Sequence, residues 1–265
     1  MRTMRLIAAA FLISFATGDP AYAGRTCQEF KQEPVTVQKA LVLALRTREA
    51  LDASGAEVAL VGRVGRDMSK HGLRYSHMAL ALRDHPKGRW FLTHMLNECG
   101  TAVSNLYDEG LGNFFLDDVF DFEALIVVPS RALQQQLLAV AATPVPMTLH
   151  EKSYSLIAHP YDTRHQNSNQ WVLEQIAVAM APAGAVSERT GAQRWLGAQG
   201  FEPSHIRVAP LERVGARLFA ANVYFDDHSF DERVSGRYQV VTVESVVGFV
   251  EQMRAQASRH VVRLP

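Results

Sequence analysis

Two apolar segments on either side of a short loop constrain the fold more than any other feature of this chain. Residues 75–83 and 89–96 are rich in apolar and aromatic side chains, as β-strands are. The loop between them contains Pro86 and Gly88, which are typical of tight turns. The pattern therefore predicts a β-hairpin, and with it an antiparallel sheet.

This hairpin would bring two histidines together. Side chains alternate along a strand, so His77 shares one face of the first strand with Ala79 and Ala81. The second strand contains His94, and a hairpin places it beside His77 on the neighbouring strand. Because a slip of one residue moves a side chain to the opposite face, this contact depends on the register.

The rest of the chain mixes short strands with helices. Helices are predicted at residues 37–53, 131–142, 168–180, 188–198 and 244–257. Further strands are predicted at residues 56–64, 124–128, 206–209 and 238–243. Residues 109–113 are expected to form a turn, after which Phe114 and Phe115 pack inside. Because strands and helices do not alternate regularly, we expect an α+β fold of antiparallel strands packed with helices.

The start of the chain has the pattern of a cleavable secretory signal. Arg2 and Arg5 give it a positive charge, and residues 6–15 form an apolar stretch. Ala21 and Ala23 give the small-x-small pattern that precedes a signal peptidase cut. The apolar stretch is too short to span a bilayer as a helix, which takes about 20 residues. Cleavage is therefore favoured over anchoring.

The predicted cut defines the expected domain organisation. Residues 1–23 would be the signal peptide, and residues 24–265 a single exported domain in the periplasm. No second long apolar run follows, so no membrane span is expected after cleavage. Basic and acidic residues both number 27, which leaves no net field to attract nucleic acid. The expected partner is a small molecule, peptide or lipid of the cell envelope, and the sequence leaves the oligomeric state open.

The two cysteines, Cys27 and Cys99, would both lie in the exported part. In an oxidising compartment an even pair is a disulfide candidate. A bridge over so long a loop would stabilise the fold by ~4 kcal/mol in the chain-entropy model. The alternative is two separate buried thiols.

A polar loop leads into the predicted helix at residue 168 and contains a candidate nucleophile. Ser168 would lie at the helix start, where backbone N–H groups can stabilise an anionic intermediate. The alternative is helix capping: Asn167 is a good N-cap, and Gln170 has the capping-box spacing. Asn167, Tyr161 and Trp171 are the candidate substrate-binding residues.

The acidic segment near residue 228 has the residue types of a metal site. Asp226, Asp227 and His228, with Asp231 and Glu232, offer oxygen and imidazole ligands. Adjacent side chains on an extended segment point in opposite directions, however, so a solvated acidic turn is the preferred interpretation. Neither a metal nor another cofactor is expected.

The order of these features resembles the circularly permuted papain-like superfamily of NlpC-type and lecithin-retinol-acyltransferase-like hydrolases. In that superfamily two strand histidines precede a distant nucleophile at a helix start. The resemblance implies a papain-like core at about residues 56–181 with a C-terminal α/β extension. It also implies that His77 is the base, that His94 orients it, and that Ser168 takes the place of the cysteine nucleophile.

Over its whole length the chain resembles an uncharacterised bacterial family, number 2145 among the domains of unknown function. The phrases that match are Tyr75-Ser76-His77, Leu96-Asn97-Glu98-Cys99, Tyr107-Asp108-Glu109-Gly110-Leu111 and Asn167-Ser168-Asn169-Gln170-Trp171. Because that family has no established activity, this resemblance implies no particular chemistry.

The serine departs from the papain-like pattern. A thiol, with an unperturbed pKa near ~8.5, is readily converted to a thiolate beside a cation or a helix N-terminus. A hydroxyl is not, so Ser168 would need His77 as a general base within hydrogen-bond reach. We therefore expect a periplasmic hydrolase or acyltransferase acting on amide or ester bonds of envelope material. The alternative is a catalytically inactive papain-like domain that binds an envelope ligand or partner.

Overall fold

The computed structural model describes residues 33–117, 119–253 and 257–264. The predicted signal peptide and Cys27 lie outside the described residues. Export and the bridge between Cys27 and Cys99 therefore remain predictions.

The described residues form an α+β fold. Its helices are α1 (Pro34–Ser54), α2 (Leu111–Leu116), α3 (Arg131–Ala141), α4 (Val145–Thr148), α5 (Ser168–Met180), α6 (Arg189–Ala198), α7 (Pro210–Phe219), α8 (Phe230–Ser235) and α9 (Val243–Gln252). Its strands are β1 (Val58–Val64), β2 (His77–His85), β3 (Gly88–Asn97), β4 (Ser104–Gly110), β5 (Asp121–Val128), β6 (Ser204–Arg207), β7 (Arg237–Val240) and β8 (Ser258–Arg263).

Six of these strands form one antiparallel sheet in the order β4-β3-β2-β1-β5-β8. The predicted hairpin is confirmed as β2 and β3, with Leu80 opposite Thr93 and His85 opposite Gly88. The strands run closer to the turn than predicted, because His85 and Gly88 still pair. A second sheet contains only β6 and β7.

The alternation of side chains along the strands gives the large sheet two different faces. One face contacts α1 and α2 and consists mostly of small residues, namely Ala59, Val61, Ala79, Ala81 and Ala124, with Trp90 and Leu92 at one end. The other contacts α3, α5 and α9 and consists of Val58, Leu60, Met78, Leu80, Met95, Leu125 and Val127. Because the side chains on the first face are small, α1 can approach the sheet closely, and the core between them is close-packed.

Helix α5 is the buried centre of the second layer and has the predicted bounds of residues 168–180. Its side chains are buried on all sides, which is the pattern of a core helix rather than a surface helix. One of them, Glu174, is completely buried and is held by Arg189 Nε at 3.0 Å and by Gln166 Nε2 at 2.6 Å. Paired and hydrogen-bonded in this way, a buried carboxylate is tolerated in the core.

The turn predicted at residues 109–113 is wrong. Strand β4 continues to Gly110, and α2 begins at the next residue, Leu111. Gly110 has an ordinary extended backbone (φ −74°, ψ 156°), so it makes no turn that requires glycine. Leu111, Phe114 and Phe115 are spaced as on one face of a helix, and their burial against α1 favours the helix.

Sequence patterns predicted the last third less well. The helix predicted at residues 244–257 ends at Gln252, and part of the prediction falls on residues outside the described ones. Helix α7 and strand β8 were not predicted. Strand β8 returns to the large sheet and pairs with β5 at its edge, and it has few buried residues. An exposed edge strand lacks the alternation that identifies a strand.

Among the described residues, no helix combines the length and the apolar character that a membrane crossing requires.

Packing of α1 on the sheet gives a direct test of this fold. Leu51 is completely buried there, whereas Leu45 on the same helix is 53% exposed. We expect Leu51→Ala to lower the free energy of unfolding by about 2–5 kcal/mol, because it removes buried apolar surface and leaves a cavity. Leu45→Ala, the matched control, should change it by less than about 0.5 kcal/mol. Urea denaturation measures both, and equal effects would contradict this packing.

Candidate active site

Ser168 and His77 lie in direct contact. His77 is the first residue of β2 and Ser168 is the first residue of α5, so the end of the sheet meets the start of the helix. Ser168 Oγ lies 2.9 Å from His77 Nδ1, and both side chains are buried. This is the distance at which a hydroxyl hydrogen-bonds an imidazole that can accept its proton.

His94 extends this contact, as the hairpin predicted. His77 Nε2 lies 2.8 Å from His94 Nδ1, and His94 is completely buried on β3. On the far side of the ring, His94 Nε2 lies 3.5 Å from Glu109 Oε2 on β4. Ser168, His77, His94 and Glu109 therefore form a continuous row of polar side chains, which we call the Ser–His–His–Glu row.

One arrangement of protons satisfies the two hydrogen bonds of the row, Ser168–His77 and His77–His94. The 3.5 Å approach of His94 Nε2 to Glu109 Oε2 does not have hydrogen-bond geometry. If the Ser168 hydroxyl donates to His77 Nδ1, the neutral His77 ring has its proton on Nε2 and donates to His94 Nδ1. The proton of His94 is then on Nε2, directed at the Glu109 carboxylate. We assign the tautomers from this network, as hydrogen positions always must be.

Both imidazoles are held in the neutral form. Burial lowers the pKa of His77 well below its usual value, and the positive charge of Arg63 and the neighbouring His94 lower it further. Burial also lowers the pKa of His94, although the nearby Glu109 carboxylate opposes this. A neutral His77 is the form that can accept a proton.

The ring of Phe114 on α2 and the ion pair between Arg63 and Asp117 support the two histidines. The ring of Phe114 lies 5.7 Å from that of His77 and 5.5 Å from that of His94, measured between centroids. Arg63 stacks over the same ring at 4.8 Å, donates to the carbonyl of Phe114, and pairs with Asp117 at 2.7 Å. These contacts restrict the rotation of both imidazoles.

The helix start is capped as predicted. Asn167 Oδ1 accepts from the Gln170 backbone N–H at 2.9 Å, and Asn167 Nδ2 donates to the Val241 carbonyl at 3.2 Å. The reciprocal half of the predicted capping box does not form. The Gln170 side chain turns away and donates to the carbonyls of His159 and Pro160, each at 3.3 Å. The backbone N–H groups of Ser168 and Asn169, at the very start of the helix, remain directed out of it.

A cavity of about 680 Å³ opens beside Ser168 and His77. Its size falls in the range of pockets that bind small molecules, roughly 300–1,000 Å³. Both polar and apolar side chains line it, among them Arg66, Met68, Asn97, Tyr107, Leu156 and Asn222. Cys99 and Glu109 also line this cavity.

None of the three residues proposed to bind substrate is among the residues that line this cavity. Trp171 is completely buried, and its Nε1 donates to the carbonyl of Pro146 at 3.0 Å. The hydroxyl of Tyr161 donates to the carbonyl of Phe201 at 2.9 Å, and the two rings pack edge to face. Trp171 points into the core, whereas Tyr161 is 38% exposed. Asn167 caps α5 and acts on Ser168 through the backbone.

Sequence reasoning missed Glu109 and Arg63 as parts of this site. Glu109 was assigned to a turn, although it lies in one of the phrases shared with the bacterial family. Its place beside His94 follows from the pairing of β4 with β3, in which Leu92 is opposite Glu109 and His94 is opposite Tyr107. The missed strand is therefore the reason for the missed residue.

The solvated acidic turn predicted around residue 228 is wrong for two of its residues. The side chains of Asp227 and His228 are both 0% exposed. Asp227 Oδ2 accepts from the His159 backbone N–H at 2.8 Å, and His228 Nε2 donates to the Ile157 carbonyl at 2.7 Å. This segment packs against the loop before α5, which no local pattern could indicate.

The fold and the row of side chains together define an α+β protein with a buried serine and two histidines beside a cavity. Residues 50–250 match the model of a bacterial family described as "Uncharacterized protein conserved in bacteria (DUF2145)", so the chain belongs to that family. No curated protein and no solved structure matches it.

The proton arrangement is testable by NMR. We expect the nitrogen chemical shifts of His77 and His94 to be those of neutral rings protonated on Nε2. Because burial and Arg63 lower the pKa of His77, its ring should stay neutral as the pH falls through about 6.5, the usual value for histidine. In Ser168→Ala the tautomer of His94 should not change. A proton on Nδ1 of His77 would contradict the assignment.

Proposed function

We propose that this protein is a hydrolase or acyltransferase that attacks amide or ester carbonyls with Ser168. One observation carries the proposal: Ser168 Oγ lies 2.9 Å from an imidazole nitrogen that is held neutral. A weak nucleophile next to a positioned base, with a third group orienting that base, is the arrangement that nucleophilic catalysis requires.

The reaction would proceed in two halves. Ser168 Oγ forms a bond to the carbonyl carbon while His77 Nδ1 takes the hydroxyl proton, giving a tetrahedral oxyanion and an imidazolium. The oxyanion collapses, the bond to the leaving amine or alcohol breaks, and His77 returns its proton to that leaving group. Water, or an acceptor alcohol or amine, then repeats the sequence on the acyl-enzyme and frees Ser168.

His94 and Glu109 would act as positioning residues. During attack His77 gains a positive charge, and its Nε2–H already donates to His94 at 2.8 Å. The Glu109 carboxylate lies 3.5 Å beyond His94 and favours the proton on the His94 nitrogen that faces it. The pair thus keeps His77 Nδ1 free to accept from Ser168.

The start of α5 supports the proposal with candidate oxyanion donors. The N–H of Gln170 is used by the Asn167 cap, and the N–H of Trp171 donates to the Asn167 carbonyl at 3.2 Å. The two N–H groups before them, those of Ser168 and Asn169, have no acceptor within the helix and are the candidate donors. Donors at a helix start stabilise an anion with little reorganisation.

Electrostatics favour a serine over a cysteine in this position. A cysteine hydrolase rests with a thiolate next to an imidazolium. Arg63 makes an imidazolium at His77 unfavourable, because burial and this neighbouring positive charge both lower the pKa of His77. A hydroxyl needs only a neutral acceptor in the resting state, so Ser168 suits the environment of His77.

The papain-like architecture and the envelope substrate are parts of the same proposal. A nucleophile at the start of a core helix, packed on a sheet whose two neighbouring strands carry the histidines, supports a permuted papain-like core. Export would limit the substrates to small molecules, peptides or lipids of the envelope. The cavity beside Ser168 is large enough for an acyl or peptidyl group of that kind.

A fluorophosphonate probe tests the nucleophile. It should label the wild-type chain, and Ser168→Ala should lose all labelling because the attacked phosphorus bonds to Oγ. His77→Gln should slow labelling by about 10²–10⁴-fold by removing the base. Ser76→Ala, a serine that lines the same cavity, is the matched control and should label normally. A wild-type chain that never labels would favour the inactive binding domain.

The pH dependence of labelling tests the base. Ser168 is activated only while His77 is neutral, so the rate falls only when the pH drops below the pKa of His77. Because burial and Arg63 lower that pKa, the labelling rate should stay constant as the pH falls from 8 through about 6.5. Rates measured under pseudo-first-order conditions give the profile. A midpoint at or above 6.5 would argue against His77 as the base.

A further inference from the structure

We propose that His159, His228 and Glu232 form a binding site for a divalent transition metal, with Zn²⁺ as the best fit. Each offers one ligand atom, and the three atoms lie within 4.8 Å of one another. The cluster is separate from the Ser–His–His–Glu row, and the proposal does not depend on the proposed enzymatic function.

The distances suit a tetrahedral ion. His228 Nδ1 lies 3.4 Å from Glu232 Oε1, and His159 Nε2 lies 3.8 Å from Glu232 Oε2. Zinc bonds of about 2.0–2.1 Å in a tetrahedral site place neighbouring ligand atoms about 3.4 Å apart. Small side-chain movements would therefore bring all three atoms to an ion.

The tautomer of His228 also supports a metal site. Its Nε2–H donates to the Ile157 carbonyl at 2.7 Å, so the neutral ring has a lone pair on Nδ1. That lone pair is directed at a carboxylate oxygen, and the side chain of His228 is 0% exposed. The 3.4 Å contact between these two atoms needs a positive charge, either a proton on Nδ1 or a metal ion. A histidine whose second nitrogen is fixed by a backbone carbonyl is also the usual form of a metal ligand.

Glu232 is fixed as an anion by its surroundings. The backbone N–H groups of Gln239 and Ser229 and the Ser229 hydroxyl all donate hydrogen bonds to its carboxylate, which favours the charged form. The buried Asp227 adds a second carboxylate, with Oδ1 3.6 Å from His228 Nε2. Among the described residues, that oxygen has no hydrogen-bond partner. The local negative charge is therefore suited to a divalent cation.

His159 would contribute Nε2. Its Nδ1 lies 3.2 Å from the backbone nitrogen of Tyr161 and accepts a hydrogen bond from it. Metal binding at Nε2 would place the ring proton on Nδ1, so this one hydrogen bond would be lost on binding.

A bound ion would connect the loop before α5 with helix α8. His159 lies in the loop before α5, and its carbonyl accepts from the Gln170 side chain on that helix. Glu232 lies on α8 and lines a second cavity of about 240 Å³ together with His205. An ion would join the loop to α8, and three protein ligands leave its fourth position for a water molecule.

Metal titration of residues 24–265, first dialysed against a chelator, tests the site. We expect one equivalent of Co²⁺ to give the visible absorption of a tetrahedral site, Zn²⁺ to displace it, and Zn²⁺ to raise the Tm. His159→Ala and Glu232→Gln should each weaken Zn²⁺ binding by more than about tenfold. His159 is the less buried histidine, so His159→Ala keeps the test valid if a substitution of His228 fails to fold.

Two controls make the outcome decisive. His205→Ala removes a histidine from the adjoining cavity, and His77→Ala removes one from the Ser–His–His–Glu row. Both should keep wild-type affinity for Zn²⁺. The proposal is overturned if the wild type binds no metal, if His159→Ala and Glu232→Gln bind as the wild type does, or if His77→Ala abolishes binding. None of these results bears on labelling of Ser168.

Discussion

The hydrogen bonds that join Ser168 to His77 and His77 to His94 are the constraint on which the rest of this structure depends. Both rings are buried, and a buried imidazole is stable only if its nitrogens have partners. The partners come from different elements. The start of α5 must therefore be positioned relative to β2 and β3 with a precision of a few tenths of an ångström. Contacts of Phe114 and Arg63 with the histidines, and the Asn167 cap on α5, fix these relative positions.

Local sequence patterns predicted the parts of the fold in which buried residues recur with the period of a strand or a helix. The hairpin and helix α5 were predicted because their apolar residues repeat with the strand and helix periods, and the histidine contact followed from the hairpin. Glu109 was missed because a segment with two glycines resembles a turn, whereas pairing with β3 and burial of Phe114 decide its structure. Trp171 was misplaced because an aromatic residue on a helix start has the same pattern whether it points to a cleft or to the core.

The electrostatics of the row could not have been predicted from residue types. Arg63 lies on β1, and its effect on His77 depends on the sheet order, which places β1 next to β2. The positive charge disfavours the ion pair on which a cysteine nucleophile depends. A neutral resting His77 is instead the form that can accept a proton from the Ser168 hydroxyl.

The position of Ser168 also depends on the last third of the chain. Asn167 is held by the Val241 carbonyl just after β7, and the backbone N–H of Tyr224 donates to the Ser155 hydroxyl in the loop before α5. His159, in the same loop, is held by Asp227. A papain-like core ending near residue 181 would lack all of these contacts. The family match to residues 50–250 includes this C-terminal part, which fixes the start of α5, where Ser168 lies.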